Sequence, residues 1–158
     1  MEVKIRQATP GDEALLARLN VAVHQIHVEG RPDIFKPPDV AELTEFMRGR
    51  LEDPTCVAYI AEVDGVPVGY TINEVVRRME SPFSNANSYV VVDNISVEPA
   101  YRSQGVGEAL MERVYQLARE QGIKRVTLSV WAFNARAVAF YERLGFAPFQ
   151  INMDKMLD

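Results

Sequence analysis

The dipeptide Asp64-Gly65 lies between two apolar runs, residues 56–63 and 66–76. An Asp-Gly pair between apolar runs is a strong signal for a β-hairpin, because both residues tolerate the left-handed backbone that a tight two-residue turn requires. The pair therefore predicts two antiparallel strands in the middle of the chain.

The spacing of apolar residues assigns the other elements around this hairpin. The predicted strands are residues 3–7, 56–63, 66–76, 89–97, 125–131 and 146–156, and the predicted helices are about residues 10–27, 40–50, 106–121 and 135–144. This order places an antiparallel meander before two β-α units. It predicts an α/β fold of the α+β type, in which a mixed, mostly antiparallel central sheet of six or seven strands is flanked by about four helices.

Composition and charge narrow the class of protein. With 158 residues and no internal repeat or linker, residues 1–158 are expected to form a single domain. A formal net charge of -5 argues against a protein built around a nucleic-acid backbone, and no apolar run approaches the roughly 18 residues of a membrane-spanning helix. The alternating N-terminus is unlike a signal peptide, and the single cysteine, Cys56, fits a reducing compartment. We therefore expect a cytoplasmic protein with neither a nucleic-acid nor a membrane partner.

The segment Arg102-Ser103-Gln104-Gly105-Val106-Gly107 connects a predicted strand to a predicted helix. Two glycines in such a turn let the backbone approach a ligand without a Cβ in the way. The free N–H groups at the start of the helix then point at an anion, and the helix dipole adds to the attraction. Because the arginine supplies a full positive charge, the expected ligand is a phosphate or a pyrophosphate.

This turn does not match two well-known nucleotide-binding motifs. A Walker A loop needs Gly-Lys-Ser/Thr, whereas Gly107 is followed by Glu108-Ala109. A dinucleotide fingerprint needs a third small residue and an acid at the end of the next strand, whereas Leu110 holds the third-glycine position and the following strand ends Ser129-Val130-Trp131. A tight turn with no ligand is the remaining alternative.

Two motifs together resemble the GNAT family of N-acetyltransferases. In that family an Arg/Gln-x-x-Gly-x-Gly/Ala turn binds the pyrophosphate of acetyl-CoA, and residues 102–107 match it at every defined position. A second family signature, Asn-x-x-Ala-x-x-Phe-Tyr-x-x-x-Gly-Phe, is similar to the segment from Asn134 to Phe146. The close match covers about residues 89–149, and the resemblance in element order covers the whole chain.

The resemblance implies that acetyl-CoA is the cosubstrate. In such folds two strands, here around residues 93–97 and 126–131, splay apart, and the peptide-like pantetheine arm pairs with the backbone in the gap. Ile95 and Val97 are the expected backbone partners. The full set of residues expected to contact the cosubstrate is Ile95, Ser96, Val97, Arg102, Ser103, Gln104, Gly105, Val106, Gly107, Glu108, Asn134, Ala137 and Tyr141.

Acetyl transfer to an amine needs a deprotonated amine, a stabilised oxyanion and a proton for the leaving thiolate. By resemblance Tyr141 is the expected acid, because a tyrosine at this motif position lies near the CoA sulfur in the family. Asp93 is the expected base or water-positioning group, since some family members carry an acid here and alternation places Asp93 and Ile95 on one face of the sheet. The backbone N–H near Ile95 is the expected oxyanion donor. Glu98 and a route through solvent alone are the alternatives to Asp93.

The family builds its amine pocket from the first two helices, their connection and the loop after the third strand. The residues expected here to bind the substrate are His27, Arg31, Asp33 and Phe35. The polar loop 77–88 is expected to close over a small ligand. His24 and His27 lie three residues apart on one helix face, but no third ligand at metal-binding spacing completes a site, so no metal site is expected.

These inferences predict an acetyl-CoA-dependent N-acetyltransferase that acts on a primary amine by direct attack in a ternary complex. A small-molecule amine is favoured over a protein. The alternatives are an acetyltransferase of protein N-termini or lysines and a non-catalytic acyl-CoA-binding sensor. The resemblance is also consistent with a homodimer.

Overall fold

The computed structural model describes the whole chain, residues 1–158. Five strands form a single mixed sheet in the order β1 (Val3–Gln7), β2 (Cys56–Val63), β3 (Val66–Arg78), β4 (Asn87–Val97) and β5 (Val126–Leu128). Four helices accompany it, namely α1 (Glu13–Gly30), α2 (Val40–Glu52), α3 (Val106–Glu120) and α4 (Ala135–Arg143). Strands β1 to β4 pair antiparallel, whereas β5 pairs parallel to β4. None of the helices has the length and apolar character that crossing a bilayer requires.

The Asp64-Gly65 hairpin forms as the sequence predicts. Val63 pairs with Val66 across a two-residue turn, in which Asp64 and Gly65 adopt φ angles of 51° and 78°. Both angles lie in the left-handed region, where glycine has no Cβ penalty and aspartate is better tolerated than most residues. The turn thereby sets the register of β2 against β3.

The sheet carries one hydrophobic core on each face. Along β2, Ala58 and Ile60 pack in one core with α1 and α2, while Tyr59 and Ala61 pack in the other with α3. Burial on both faces explains why β2 is apolar at nearly every position instead of alternating with polar residues. Each large apolar side chain buried in these cores contributes about 1.5–3 kcal/mol to stability. The two cores fix α1 and α3 on opposite sides of β4.

A β-bulge at Asp93 interrupts the pairing of β4 with β3. Val92 and Asn94 pair with consecutive residues of β3, so that Asp93 between them has no partner. A bulge of this kind shifts the alternation of the strand beyond it by one residue. Val92 and Ile95 consequently both pack against the core on the α3 side, although they are three residues apart.

The prediction of six or seven strands is wrong, because the segment 146–156 forms no strand. Phe149, Ile151 and Met153 alternate with polar residues, which is the pattern that predicted a strand. No backbone group from residue 147 onward, however, hydrogen-bonds to another backbone group. A strand needs a hydrogen-bonded neighbour as well as a pattern, and this segment has none within its own chain.

Several element boundaries also differ from the prediction. β5 ends at Leu128 because its pairing with β4 stops there. Strands β3 and β4 extend into the predicted loop 77–88, which leaves a shorter loop at residues 79–86. Helix α1 begins three residues late because Thr9 and Asp12 close a turn first, with the Asp12 N–H donating to the Thr9 carbonyl at 3.0 Å.

Candidate active site

A gap opens between β4 and β5 where their short pairing ends. The two strands pair only through Val90–Val92 of β4 and Val126–Leu128 of β5. Beyond those residues β4 continues to Val97 with β3 as its only neighbour, and β5 ends. The splayed strands that the resemblance implied are therefore present, and we call the space between them the β4–β5 gap.

The bulge at Asp93 decides which backbone groups face the β4–β5 gap. The N–H of Glu98 donates to the carbonyl of Val68 on β3 at 2.8 Å. Antiparallel alternation turns the backbone of every second residue before Glu98 toward β3 as well. The intervening residues, Ile95 and Val97, therefore point their N–H and C=O groups into the gap.

Ser96, the third β4 residue expected to contact the cosubstrate, faces away from the gap. It is buried, and its hydroxyl donates to the carbonyl of Leu19 in α1 at 3.1 Å. The side chain is therefore committed to holding α1 on the sheet. In the gap itself, the Val97 carbonyl accepts a hydrogen bond from Nε of Arg102 at 3.2 Å.

The turn before α3 presents a row of N–H groups without backbone partners. The amides of residues 104–108 donate to no carbonyl, and the N–H of Ala109 is the first to join the helix, donating to the Gly105 carbonyl at 3.0 Å. Gly105 caps α3 with a φ of 85°, a conformation that favours glycine. A Cβ at Gly107 would lie 3.0 Å from the ring of Phe140. One glycine thus turns the backbone, and the other allows α4 to pack closely.

Two arginines bring positive charge to this turn. Nη2 of Arg136, in the first turn of α4, donates to the Ser103 hydroxyl at 3.4 Å, and neither Arg136 nor Arg102 forms a salt bridge. Burial and the Arg136 charge lower the pKa of Arg102, so an anion at the turn would relieve the repulsion between them. Gln104 is occupied otherwise, since Nε2 donates to the Ala100 carbonyl at 3.0 Å. Sequence reasoning did not assign Arg136, because the spacing of α4 does not show which residue meets the turn.

Helix α4 lies beside the turn and buries Tyr141. Asn134 caps the helix, with its side-chain oxygen accepting the N–H of Ala137 at 3.2 Å. Tyr141 makes edge contacts with Phe140 and Phe146, at ring distances of 5.3 and 5.9 Å. Burial raises the pKa of Tyr141 to about 12, so the phenol keeps its proton at neutral pH.

Asp93 forms an ion pair with Arg50 on the face of the sheet opposite α3. Nη2 of Arg50, in α2, donates to the Asp93 carboxylate at 2.6 Å. Since Ile95 packs on the α3 side, the prediction that Asp93 and Ile95 share one face is wrong, and the bulge is the reason. Burial raises the pKa of Asp93, while the Arg50 charge opposes this rise. The alternative base, Glu98, instead precedes a 3₁₀ turn at Pro99–Tyr101.

A cavity of about 240 Å³ opens at this ion pair. Its lining consists of Phe46, Arg50, Ile72, Asp93 and Asn94. Phe46 also borders a second cavity of about 220 Å³ beside the α1–α2 connection. None of the four predicted substrate-binding residues lines either cavity. Phe46 is exposed on α2, and the spacing of apolar residues along a helix does not show which of them stay exposed.

An aromatic cluster joins the α1–α2 connection to the segment that follows β5. The ring of Phe35, in the α1–α2 connection, lies 5.1 Å from His27 and 5.2 Å from Trp131, and Trp131 stacks on Phe133 at 5.8 Å. Burial, with a smaller contribution from His24, lowers the pKa of His27, which is therefore neutral at pH 7. The structure thus brings the predicted His27 and Phe35 together. Trp131 and Phe133 join them, although sequence reasoning did not assign either residue to the substrate site.

The remaining two predicted substrate residues bind each other. Nη2 of Arg31 lies 2.9 Å from a carboxylate oxygen of Asp33, and Nη1 lies 2.9 Å from Asp154 near the C-terminus. Asp33 therefore offers no free carboxylate to an incoming amine. The chain contains no group of three or more His, Cys, Asp or Glu side chains arranged to hold a metal ion.

These parts fit a nucleotide thioester better than a free phosphate. The unpartnered N–H groups at residues 104–108, the helix dipole and the two arginines suit a diphosphate. The open edge of β4 suits an amide-bearing arm, which can pair as an added strand. Tyr141 adds a protonated phenol beside the turn, and Asp93 adds a carboxylate where the two strands part.

Comparisons with known proteins identify the family of the chain. The model of the acetyltransferase (GNAT) family matches residues 20–146. The [ribosomal protein bS18]-alanine N-acetyltransferase of Escherichia coli (strain K12) is 45% identical over 53 residues, which cover 34% of this chain and 36% of that protein. The chain thus spans about a third of the length of this curated relative.

Two solved structures share the fold over nearly the whole chain. The tetramutant of the BH1408 protein from Bacillus halodurans superimposes with a TM-score of 0.92 at 25% identity, covering 98% of this chain and 99% of that one. The aminoglycoside N-acetyltransferase AAC(6')-Iy in complex with CoA gives a TM-score of 0.77 at 17% identity, covering 99% and 95%. The family match, the two sequence motifs and the splayed strands lead to one conclusion: this chain belongs to the GNAT family of acetyltransferases.

Proposed function

We propose that the chain is an N-acetyltransferase that transfers an acetyl group from acetyl-CoA to the primary amine of a small molecule. The observation that carries the proposal is the row of unpartnered N–H groups at residues 104–108, flanked by Arg102 and Arg136 at the β4–β5 gap. Backbone donors at a helix N-terminus together with two unpaired cations favour a diphosphate. We further propose that residues 1–158 form one acetyltransferase domain. A cytoplasmic location would keep the Cys56 thiol reduced.

The β4–β5 gap supplies the second part of the binding site. Ile95 and Val97 offer backbone N–H and C=O groups to the amide-bearing arm of the cosubstrate. When bound, acetyl-CoA supplies the acetyl group as a thioester. The N–H of Ile95 is the donor that we assign to the carbonyl oxygen on which negative charge develops.

Proton transfer is assigned to Asp93 and Tyr141. An ammonium with a pKa near about 10 is no nucleophile, so the amine has to give up a proton before its nitrogen forms the C–N bond. Asp93 receives that proton directly or through water, and the Arg50 charge at 2.6 Å opposes the rise in the pKa of Asp93 that burial causes. As the C–S bond breaks, Tyr141 donates its proton to the sulfur. The Tyr141 phenol is then restored from solvent.

The acceptor side favours a small molecule. Asp93 opens onto a cavity of about 240 Å³ that Phe46 separates from a second cavity of about 220 Å³. Both are recesses of limited volume beside α2, whereas a peptide acceptor needs a continuous groove. The alternative of a protein acceptor is favoured by the relative in Escherichia coli, whose name specifies an alanine of a ribosomal protein.

Thiol release from acetyl-CoA over a panel of amines tests this proposal. The panel contains polyamines, amino acids, aminoglycosides and short peptides with a free N-terminal alanine, and calorimetry measures CoA binding in parallel. Turnover confined to small amines is the expected result, whereas turnover confined to peptides would transfer the proposal to a protein acceptor. CoA binding without turnover on any amine would support the non-catalytic sensor, and failure to bind CoA would refute the site itself.

A further inference from the structure

The cavity of about 240 Å³ beside α2 is lined by one cation and one anion. These are Arg50 and Asp93, whose side chains are 21% and 35% exposed and which lie 2.6 Å apart, measured from Nη2 to the carboxylate oxygen. Phe46, Ile72 and Asn94 complete the lining and carry no charge. Because the two charges are opposite and adjacent, the lining offers a ligand a dipole instead of a net charge.

Arg50 is the member of this pair that a simple amine does not need. An ammonium that approaches Asp93 also approaches the guanidinium, and the two positive charges repel each other. Outside the lining, Asp53 acts on Arg50 and Glu74 acts on Asp93, and both of these carboxylates would assist a cation. The guanidinium has several N–H donors, and Asp93 takes only one of them. The cavity therefore suits an acceptor that brings an anion for Arg50 together with its amine.

We propose that the acceptor is an α-amino acid, whose ammonium binds Asp93 and whose carboxylate binds Arg50. This inference rests on the proposed function, since it takes the acceptor amine to be the ligand of the cavity. In an α-amino acid the ammonium nitrogen and the carboxyl carbon lie about 2.5 Å apart, by standard bond lengths and angles. That separation is close to the 2.6 Å between Nη2 of Arg50 and the Asp93 carboxylate. The two dipoles can therefore lie side by side with opposite charges facing each other.

The rest of the lining favours an uncharged side chain on this amino acid. Ile72 is buried and Phe46 is 59% exposed, so the cavity has an apolar wall at its base and another toward solvent. No second charged pair lines the cavity, and a charged side chain would lose water there without gaining a partner. The volume of about 240 Å³ lies below the usual range for pockets that hold drug-sized ligands. An amino acid fits this volume better than an aminoglycoside or a peptide.

Acetylation removes the charge that holds the amino acid at Asp93. The free amine nitrogen bonds to the acetyl carbon and loses a proton to Asp93 or water, while the C–S bond breaks and the sulfur takes a proton from Tyr141. The products are an N-acetyl amino acid and coenzyme A. The acetylated product keeps a carboxylate for Arg50 but has no ammonium for Asp93, so it should bind more weakly than the substrate.

Kinetics on matched acceptors with and without the carboxylate test the inference. One series is leucine, leucinamide and 3-methylbutylamine, and the other is phenylalanine, phenylalaninamide and 2-phenylethylamine. Within each series the amine and the side chain stay the same, and only the amino acid has a carboxylate. We expect the amino acid to have the highest kcat/KM by about 10- to 100-fold, because charge-assisted hydrogen bonds to Arg50 hold its carboxylate. The amide loses its ammonium proton more readily, so amine reactivity alone would produce the opposite order.

Arg50→Gln should abolish this preference, and Arg48→Gln is the matched control. The ratio of kcat/KM for leucine to that for 3-methylbutylamine should fall about 10- to 100-fold in Arg50→Gln, mainly through the KM for leucine. A change in the pKa of Asp93 would affect both acceptors and cancel in this ratio. Arg48, two residues earlier in α2, pairs with Glu13 and Glu45 and should leave the ratio unchanged. Arg50→Lys keeps the charge but loses the planar fork, so its ratio should be intermediate.

Calorimetry of the same compounds on the chain saturated with CoA separates this inference from the proposed function. Turnover of the amide or the simple amine that equals or exceeds that of the amino acid would overturn the inference alone, as would an unchanged ratio in Arg50→Gln. The absence of turnover on every amine would refute the proposed function. Tighter binding of the amino acids that is lost in Arg50→Gln would then still support the assignment of the cavity, whereas equal binding of all members of a series would refute it.

Discussion

The two sides of the candidate site differ in the groups that form them. At the N-terminus of α3 the site consists of consecutive backbone N–H groups, residues 104–108, with Gly105 setting their direction. On the α2 side it consists of the side chains of Phe46, Arg50 and Asp93, which are brought together from α2 and β4. A backbone-built site is encoded locally, because a few residues determine it. A side-chain-built site exists only once distant elements have packed.

This difference implies that one side binds the cosubstrate and the other binds the acceptor, and steady-state kinetics can measure the two separately. The backbone side cannot change its ligand without losing its turn, so it suits a cosubstrate that never varies. The side-chain side can change its ligand through one substitution at α2, so it suits an acceptor that differs among relatives. Variants at the α3 turn should therefore alter the KM for acetyl-CoA, and variants at α2 should alter the KM for the amine.

The largest effect is expected at Tyr141, the residue proposed to protonate the sulfur. Tyr141→Phe removes the phenolic proton but keeps the buried ring, so kcat should fall about 10²- to 10⁴-fold with both KM values little changed. Steady-state kinetics with saturating acetyl-CoA measures this effect. Tyr115→Phe, a half-buried tyrosine of α3, is the matched control and should keep wild-type turnover. A kcat within about twofold of wild type would remove Tyr141 from the mechanism.

The next effect tests the backbone side alone. Gly105→Ala forces a Cβ onto a residue with a φ of 85°, although open space surrounds the new atom. The strain of about 1–2 kcal/mol should move the turn and weaken CoA binding by roughly tenfold. Gly65→Ala, at a φ of 78° and also in open space, carries the same strain far from the turn. Calorimetry of CoA binding should separate the two variants, and equal weakening in both would mean that stability, rather than the turn, is responsible.

Sequence reasoning succeeded where structure is local. The Asp64-Gly65 hairpin and the turn at residues 102–107 are each set by a few adjacent residues, and both were predictable. The bulge at Asp93 was not predictable, because one extra residue does not visibly change the apolar pattern of a strand that is rich in valine. For this reason the prediction that Asp93 and Ile95 share one face of the sheet is wrong. The missing last strand has another cause, since pattern alone does not supply a neighbour.

A smaller effect is expected at Arg136, which adds a side chain to the backbone side. Arg136→Gln removes one of the two cations at the turn, and CoA binding should weaken by roughly threefold, as for a partly exposed ion pair. The loss should shrink as ionic strength rises, because salt screens exposed charges. Arg143→Gln, at the other end of α4, is the control and should leave CoA binding unchanged. Equal affinity for wild type and Arg136→Gln at low salt would contradict the assignment.

The smallest effect is expected on the α2 side of the site, where the ionised carboxylate of Asp93 should lower the stability of the folded chain. Burial raises the pKa of Asp93 above 3.8, so the folded chain binds the proton more tightly than the unfolded chain. Stability from this group is complete below pH 3.8 and is lost as pH rises through the raised pKa. The melting temperature of Asp93→Asn relative to wild type should therefore increase with pH by about 2–4 °C at most, because a third of the side chain is exposed to water.

Asp53 provides a control, because an Asp→Asn substitution there should change stability with pH in the opposite direction. Hydrogen bonds from the Thr55 N–H and hydroxyl lower the pKa of Asp53, so its stabilisation is present above pH 3.8 and is lost as pH falls through the lowered value. Asp53→Asn should thus lose stability relative to wild type as pH rises, whereas Asp93→Asn gains it. Thermal unfolding of the three chains from about pH 3 to pH 8 measures both trends. Parallel trends in the two variants would show that net charge, and not the burial of Asp93, governs the pH dependence, and the carboxylate would then have no special environment on the acceptor side.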